Sequence, residues 1–292
     1  MFAGTFTALV TPFRDHQIDV AAFRLLIDRQ FDHGITGIVP VGTTGESPTL
    51  DHDEHKQVIQ LAIEQARGRG PVIAGTGSNS TREAIELTRA AEKAGADASL
   101  QVCPYYNKPC QEGLYQHYRV IAENTALPIV LYSIPGRSGV EIGIETVARL
   151  AADCPNIAAI KEAGGAVERV TQLRAVVPDR FQILSGDDAL TLPFMAAGAC
   201  GVVSVAGNLV PEVMSGLVEA ALAGDWAKAL ELHDRWAPLL SGLLKLSSNP
   251  VPIKAALALQ GHMEPDVRLP LAGLDEGKVK QLRTILAGCG IE

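Results

Sequence analysis

The chain has 292 residues, 47% of them hydrophobic and 20% charged, and carries a formal net charge of −8. The length exceeds one ordinary domain but fits an α/β barrel built as a single unit. The acidic balance argues against a protein that neutralises a nucleic-acid backbone or docks on anionic lipid, so neither nucleic acid nor membrane is an expected partner.

The N-terminal MFAGTFTALVTPF lacks the basic stretch that opens a secretory signal, and a cytoplasmic protein is expected. Short apolar or β-branched runs then recur: TFTALV (5–10), GIVPV (37–41), PVIAG (71–75), ASLQV (98–102), IVLYS (129–133), IAAIK (157–161), FQILS (181–185) and GVVSV (201–205). From first start to last, the mean repeat is about 28 residues, the size of one βα unit. Their apolarity is continuous rather than alternating, the pattern of parallel strands buried on both faces. Between them, apolar residues at three- and four-residue spacing predict helices at 22–31, 55–66 and 81–94. Ser80 is the expected N-cap of the last of these, with Glu83 three residues on as in a capping box.

The uncharged stretch 189–211 is long enough for a membrane span. Pro193, Asn208 and its glycines and hydroxyls instead predict a buried helix followed by a buried strand. After about Gly224 the strand runs stop, and 226–246, 252–259 and 277–287 read as helices. The expected architecture is α/β: a (β/α)8 TIM barrel over 1–224 with a C-terminal helical region at 225–292. An open doubly wound sheet is the rival, although no G-x-G-x-x-G follows the first strand. The five cysteines, Cys103, Cys110, Cys154, Cys200 and Cys289, show no C-x-x-C spacing. They form neither a disulfide framework nor a zinc knuckle, which fits a reducing compartment.

Of nine lysines, Lys161 alone closes an apolar strand. A charge at the end of a buried strand is costly unless paired or neutralised, and in a barrel that end carries the active site. Burial disfavours an ammonium, and a neutral lysine amine is a nucleophile. The competing reading is a solvent pairing with Glu162. Other chemistry-bearing residues fall at similar positions. GTTGES (42–47) follows the second strand as a tight turn able to aim backbone N–H groups at a carboxylate, and is not a Walker loop. PYYNKP (104–109) follows the fourth strand, Tyr132 closes the fifth, IPGRSG (134–139) brings Arg137, and SGDD (185–188) closes the seventh.

In a parallel barrel these ends share one face. Thr43, Tyr106, Tyr132, Arg137 and Lys161 therefore converge, although Thr43 and Lys161 lie 118 positions apart. The set supports carbonyl chemistry. A neutral Lys161 amine attacks a ketone and loses water to form an iminium, which acidifies the neighbouring carbon and yields an enamine. A phenol, with a pKa of about 10 in water, needs help to move protons at neutral pH; Thr43 and a second tyrosine are placed to relay for Tyr132. Arg137 can grip a carboxylate with two prongs. No cofactor is needed, because the iminium is the electron sink. His52 and His55 in DHDEH (51–55) could share a helix face as metal ligands, but no third ligand is evident and no metal is expected. A solvated helix start is the other reading of that segment.

In order along the chain, GTTGESPTL, DHDEH, PYYNKP, EGLYQHY, YSIPGRSG, IKEAGG, SGDD and NPVPIK resemble the dihydrodipicolinate synthase (4-hydroxy-tetrahydrodipicolinate synthase) family over essentially its whole length. The resemblance implies a barrel with C-terminal helices, usually a homotetramer built as a dimer of dimers. It implies condensation of pyruvate with L-aspartate 4-semialdehyde in lysine and diaminopimelate biosynthesis. Lys161 would be the Schiff-base lysine and Tyr132 the proton-transfer residue. Thr43 and Tyr106 would complete its relay, with Tyr106 reaching across the tight dimer interface. Thr44 would bind the pyruvate carboxylate and Arg137 the semialdehyde carboxylate, while Gly186 and the Val203 backbone would line the pocket.

The resemblance also implies inhibition by lysine at the dimer interface, through Ser47, Pro48, His52, His55, Asn79, Glu83 and Tyr105. Glu83 would pair with the ligand ammonium, Asn79 and Tyr105 would hold its carboxylate, and Pro48 would act through its carbonyl. The chain departs from the family at Ser133, usually Asn, at Ser138, usually Thr, and at Cys103, where Thr is common. The IP and SG elements are similar to those of the N-acetylneuraminate lyases. Two further readings stay open: another pyruvate-dependent aldolase of that superfamily, acting on a sugar acid, and a catalytically silent relative that senses a metabolite. Arg137 and PYYNKP favour a short acid over a sugar, and a sensor has no need of Lys161, Tyr132 and Thr43 together.

Overall fold

Each of the eight apolar runs forms a strand in the computed structural model, which describes residues 2–291. The strands are β1 (Gly4–Ala8), β2 (Gly37–Val39), β3 (Ile73–Gly75), β4 (Ala98–Val102), β5 (Ile129–Ser133), β6 (Ile157–Glu162), β7 (Gln182–Ser185) and β8 (Gly201–Ser204). All run parallel, and neighbours in sequence are neighbours in the sheet. β8 returns to β1, pairing Gly4 with Gly201 through to Thr7 with Ser204. A bridge from Ile38 to Val72 joins β2 to the residue preceding β3, so the sheet closes on itself and the open-sheet alternative is excluded. The β1–β8 seam requires glycine: at Gly201 (φ +156°) a Cβ would lie 1.9 Å from the Gly4 carbonyl oxygen.

Strand parity explains the continuous apolar runs. Phe6, Ala8, Val39, Leu100, Val130, Tyr132, Ala159, Leu184 and Val203 fill the barrel interior. The intervening Leu131, Ile160 and Ile183 pack outward beneath the helices. After a short hairpin pairing Phe13–Arg14 with Gln17–Ile18, helices alternate with the strands: α1 (Val20–Asp32), α2 (His52–Ala66), α3 (Thr81–Ala94), α4 (Gln111–Ala122), α5 (Ile144–Asp153), α6 (Glu168–Arg174), α7 (Thr191–Ala196) and α8 (Pro211–Leu222). The uncharged stretch 189–211 becomes α7 and β8, and among the described residues no helix is long and apolar enough to cross a membrane.

The capping box expected at the start of α3 does not form. Ser80 does cap α3, accepting from the Glu83 amide at 3.5 Å. The Glu83 carboxylate does not return to Ser80 but bonds Ser78 and His52. The reciprocal box forms instead at the start of α2, where Asp51 accepts from the Glu54 amide and Glu54 accepts from the Asp51 amide.

Three further helices, α9 (Trp226–Leu246), α10 (Val251–Leu259) and α11 (Glu276–Gly288), follow the barrel. Their Leu239, Leu243, Ile253, Leu257 and Leu282 share one apolar cluster with the barrel residues Val10, Val202 and Leu217. A charged lock accompanies this packing. Lys254 of α10 and Glu46, both 0% exposed, form an ion pair at 2.5 Å. Burial pushes the Lys254 ammonium down against the pull of Glu46. The Arg268 amide donates to the other Glu46 oxygen at 3.0 Å, and the Arg268 guanidinium grips Glu54 through two bonds of 2.6 Å. Removing one partner of such a pair strands the other charge in a dry interior. Lys254→Met is therefore expected to lower stability by about 3–5 kcal/mol, and adding Glu46→Gln to recover part of that loss. Denaturant midpoints of the three proteins check this, and an unchanged midpoint for Lys254→Met would contradict it.

Candidate active site

The parity of β6 decides what Lys161 faces. The register pairs it with Tyr132 on β5, and both side chains enter the barrel, 5% and 4% exposed respectively. The Lys161 Nζ lies 4.1 Å from the centroid of the Tyr132 ring. Glu162, one residue on, points out through the wall, where it is fully buried and Arg169 of α6 takes it at 3.1 Å. Arg169 also holds Glu141 at 2.8 Å. Burial pushes the Glu162 carboxyl up despite this partner. The solvent pair of Lys161 with Glu162 therefore does not form. The two buried lysines differ in kind: Lys254 is locked to Glu46, whereas no carboxylate among the described residues ion-pairs with Lys161.

Gly186, directly after β7, leaves room for the lysine stem. A Cβ there would stand 3.1 Å from the Lys161 Cε and 2.6 Å from the Ala163 Cβ. Val203 is buried inside the same barrel on β8. The GTTGES turn follows β2 at this rim. Its Gly42 carbonyl accepts from the Gly45 and Ser47 amides at 3.1 and 3.3 Å, and its Thr43 carbonyl accepts from the Glu46 amide at 3.1 Å. The Thr43 and Thr44 amides donate to no protein group among the described residues, as an anion-binding turn requires. The Thr44 side chain is buried, and its Oγ1 accepts from the Asn249 Nδ2 at 2.9 Å. Arg137 stands exposed on the short helical turn Pro135–Ser138 and donates to the Asn249 carbonyl at 3.3 Å. Tyr106, in left-handed backbone at φ +72°, is 91% exposed. Within one chain it is therefore not gathered with the buried Tyr132.

A second cluster forms near the N-termini of α2 and α3. The Ser78 hydroxyl donates to Glu83 and holds its carboxyl below the usual range, and His52 Nε2 bonds the same carboxylate at 2.8 Å. Asn79 Nδ2 donates to the Tyr105 carbonyl at 3.1 Å, and Asn107 returns a bond to the Asn79 carbonyl at 2.9 Å. Ser47 and Pro48 open the 3-10 turn Ser47–Thr49 just before α2. His55 is buried behind them with Nε2 on the Gly75 carbonyl at 2.8 Å, and burial pushes its imidazole down. The two histidines thus face different partners, Glu83 and the Gly75 carbonyl.

The three departures from the family pattern lie in the wall. Ser133 is buried and faces the Ile142 amide. The Ser138 hydroxyl sits 3.0 and 2.7 Å from the Ile134 and Val140 carbonyls. Burial pushes the Cys103 thiol up to about 11. Sequence reasoning passed over Glu46, Asn249 and Lys254 as individuals. The signal was present in GES and NPVPIK, two motifs with polar residues framed by glycine or proline.

A closed parallel barrel with a strand-end lysine buried in it, and no carboxylate among the described residues paired with that lysine, defines an enzyme of the lysine-centred (β/α)8 class. The sequence matches the Dihydrodipicolinate synthetase family over residues 1–288. It is 49% identical over 290 residues to the 4-hydroxy-tetrahydrodipicolinate synthase of Nitratidesulfovibrio vulgaris (strain DP4), covering 99% of each chain. The structure of the 4-hydroxy-tetrahydrodipicolinate synthase from Methylacidiphilum fumariolicum SolV superposes with a TM-score of 0.98 at 51% identity, covering 99% of this chain and 96% of that one. The enzyme from Cyanidioschyzon merolae with lysine bound gives 0.95 at 40% identity, covering 100% and 99%. The chain belongs to the dihydrodipicolinate synthetase family.

Because Gly186 borders the Lys161 stem, Gly186→Ala is expected to displace the amine and lower kcat by roughly 10–100-fold in a folded protein. Steady-state kinetics with circular dichroism check this, and a wild-type kcat would contradict it.

Proposed function

We propose that the protein condenses pyruvate with L-aspartate 4-semialdehyde through an imine on Lys161, giving 4-hydroxy-tetrahydrodipicolinate for lysine and diaminopimelate biosynthesis. The observation that carries this reading is the Lys161 amine, buried against Tyr132 with no carboxylate partner among the described residues. The Thr43–Thr44 turn takes the pyruvate carboxylate and presents the ketone to Lys161. The neutral amine attacks, water leaves, and the iminium acidifies the methyl group. Tyr132 moves the protons, with Thr43 and the Tyr106 of a second subunit as its relay. The resulting enamine attacks the aldehyde of the second substrate, whose carboxylate Arg137 holds at the rim; that substrate's own amine then adds to the iminium carbon and displaces Lys161, which closes the ring and frees the enzyme amine. Gly186 and the Val203 backbone line the pocket around the adduct. No cofactor is needed, since the iminium takes up the electron pair that deprotonation releases.

Assembly into a homotetramer, a dimer of dimers, would give Tyr106 the partner site that its exposure in one chain lacks. Five free cysteines fit a cytoplasmic enzyme. A lysine molecule binds at the second cluster: Glu83 receives its ammonium, Asn79 and Tyr105 its carboxylate, and Ser47, Pro48, His52 and His55 complete the surroundings. Arg137 and PYYNKP favour a short acid over the sugar-acid alternative, since a sugar would call for hydroxyl-binding groups there.

Assay of product formation tests the reading. Turnover is expected with pyruvate and the semialdehyde, not with N-acetylneuraminate, and added lysine should suppress it. Glu83→Gln should raise the half-inhibitory lysine concentration at least about tenfold relative to its own uninhibited rate. The Ser78 bond depresses the Glu83 carboxyl, so the anion persists as pH falls, and inhibition should survive down to the ordinary glutamate value of 4.5. Cleavage of the sugar acid without condensation would overturn the assignment.

A further inference from the structure

We infer that Asn249 is a positioning residue that orients the carboxylate-binding groups for the two substrates; this rests on the function proposed above. Asn249 lies in the segment joining α9 to α10, far in sequence from every other group at the site. It nevertheless touches a group proposed for each substrate. Its side-chain Nδ2 donates to the Thr44 hydroxyl oxygen at 2.9 Å, and its backbone carbonyl accepts from the Arg137 guanidinium at 3.3 Å.

The direction of the first bond matters. A threonine hydroxyl has one proton and two lone pairs. With Asn249 filling a lone pair, the Thr44 proton is left to point at an incoming carboxylate beside the turn amides. An amide donor thus converts an ambiguous hydroxyl into a committed donor. The second bond uses backbone, so it fixes where Arg137 stands whatever side chain occupies position 249.

Two further observations support a role beyond packing. The Asn249 Oδ1 is buried with no protein partner among the described residues, a cost that ordinary core packing avoids. The segment is also anchored immediately downstream by the buried Lys254–Glu46 pair, and Glu46 belongs to the same turn as Thr44. The turn and the Asn249 segment are therefore held as one rigid unit, which is what a 2.9 Å positioning bond needs to be effective.

The separate roles of side chain and backbone make a sharp test. Steady-state kinetics are measured for the full-length enzyme and for Asn249→Ala and Asn249→Asp, with thermal melting as a control for folding. Asn249→Ala should raise KM for pyruvate about tenfold while KM for the semialdehyde stays within about twofold. Asn249→Asp has the same shape but can only accept, so it should turn the Thr44 proton towards itself and raise KM for pyruvate at least as far. A role in stability alone would lower the melting temperature without this split between substrates. Folded Asn249→Ala with wild-type KM for pyruvate, or with both KM values raised equally, overturns the assignment, as does Asn249→Asp with unchanged KM. A wild type that neither condenses the two substrates nor binds pyruvate overturns the functional reading and this inference together. An active wild type with indifferent variants overturns this inference alone.

Discussion

The placement of one amine inside a closed sheet governs the rest of this molecule. β6 ends in adjacent lysine and glutamate residues, and strand alternation must send them to opposite faces. Glu162 goes outward to Arg169, and Lys161 goes inward to lie 4.1 Å from the Tyr132 ring. A slip of one residue in the register would exchange them, putting a carboxylate in the barrel and the amine under a helix. The Tyr132–Lys161 pairing, the glycine at 186 and the Arg169 partner for Glu162 all serve that single outcome.

The C-terminal helices share in the site rather than merely enclosing it. The fully buried Lys254–Glu46 pair ties α10 to the turn that carries Thr43 and Thr44. Such a pair contributes little net stability once its desolvation is counted, but it allows few alternative arrangements. Asn249 lies on the same segment and reaches Thr44 and Arg137. Rigid support from outside the barrel thus sets the geometry at its mouth. Among the described residues two lysines are buried, one paired with a carboxylate and one without such a pair.

Most of the fold was legible because a parallel barrel writes itself as a repeat. Eight apolar runs recurring at about the length of one βα unit became eight strands, with β4 and β5 at the expected bounds. α3 and α9 also began and ended as read. The local patterns failed where a side chain had a better distant partner. Glu83 had the spacing for a capping box, but Ser78 and His52 outcompeted Ser80 for its carboxylate. At the site, Lys161 and Tyr132 could be read from their strand ends. Lys254 could not, because a lysine in a short apolar helix looks solvated until the fold brings Glu46, 208 positions away, against it. Asn249 was hidden for the same reason: its partners at 44 and 137 belong to loops that only the closed barrel makes adjacent.

The central claim is that Lys161 forms the covalent imine with a keto acid. Its most direct test is borohydride reduction of the enzyme in the presence of pyruvate, followed by intact and peptide mass spectrometry, with Lys161→Ala as the control. A pyruvate-derived adduct confined to the peptide carrying Lys161, and absent from the variant, is the predicted result. A folded, active wild type that gives no adduct, or an adduct on Lys254 or any other lysine, would contradict it.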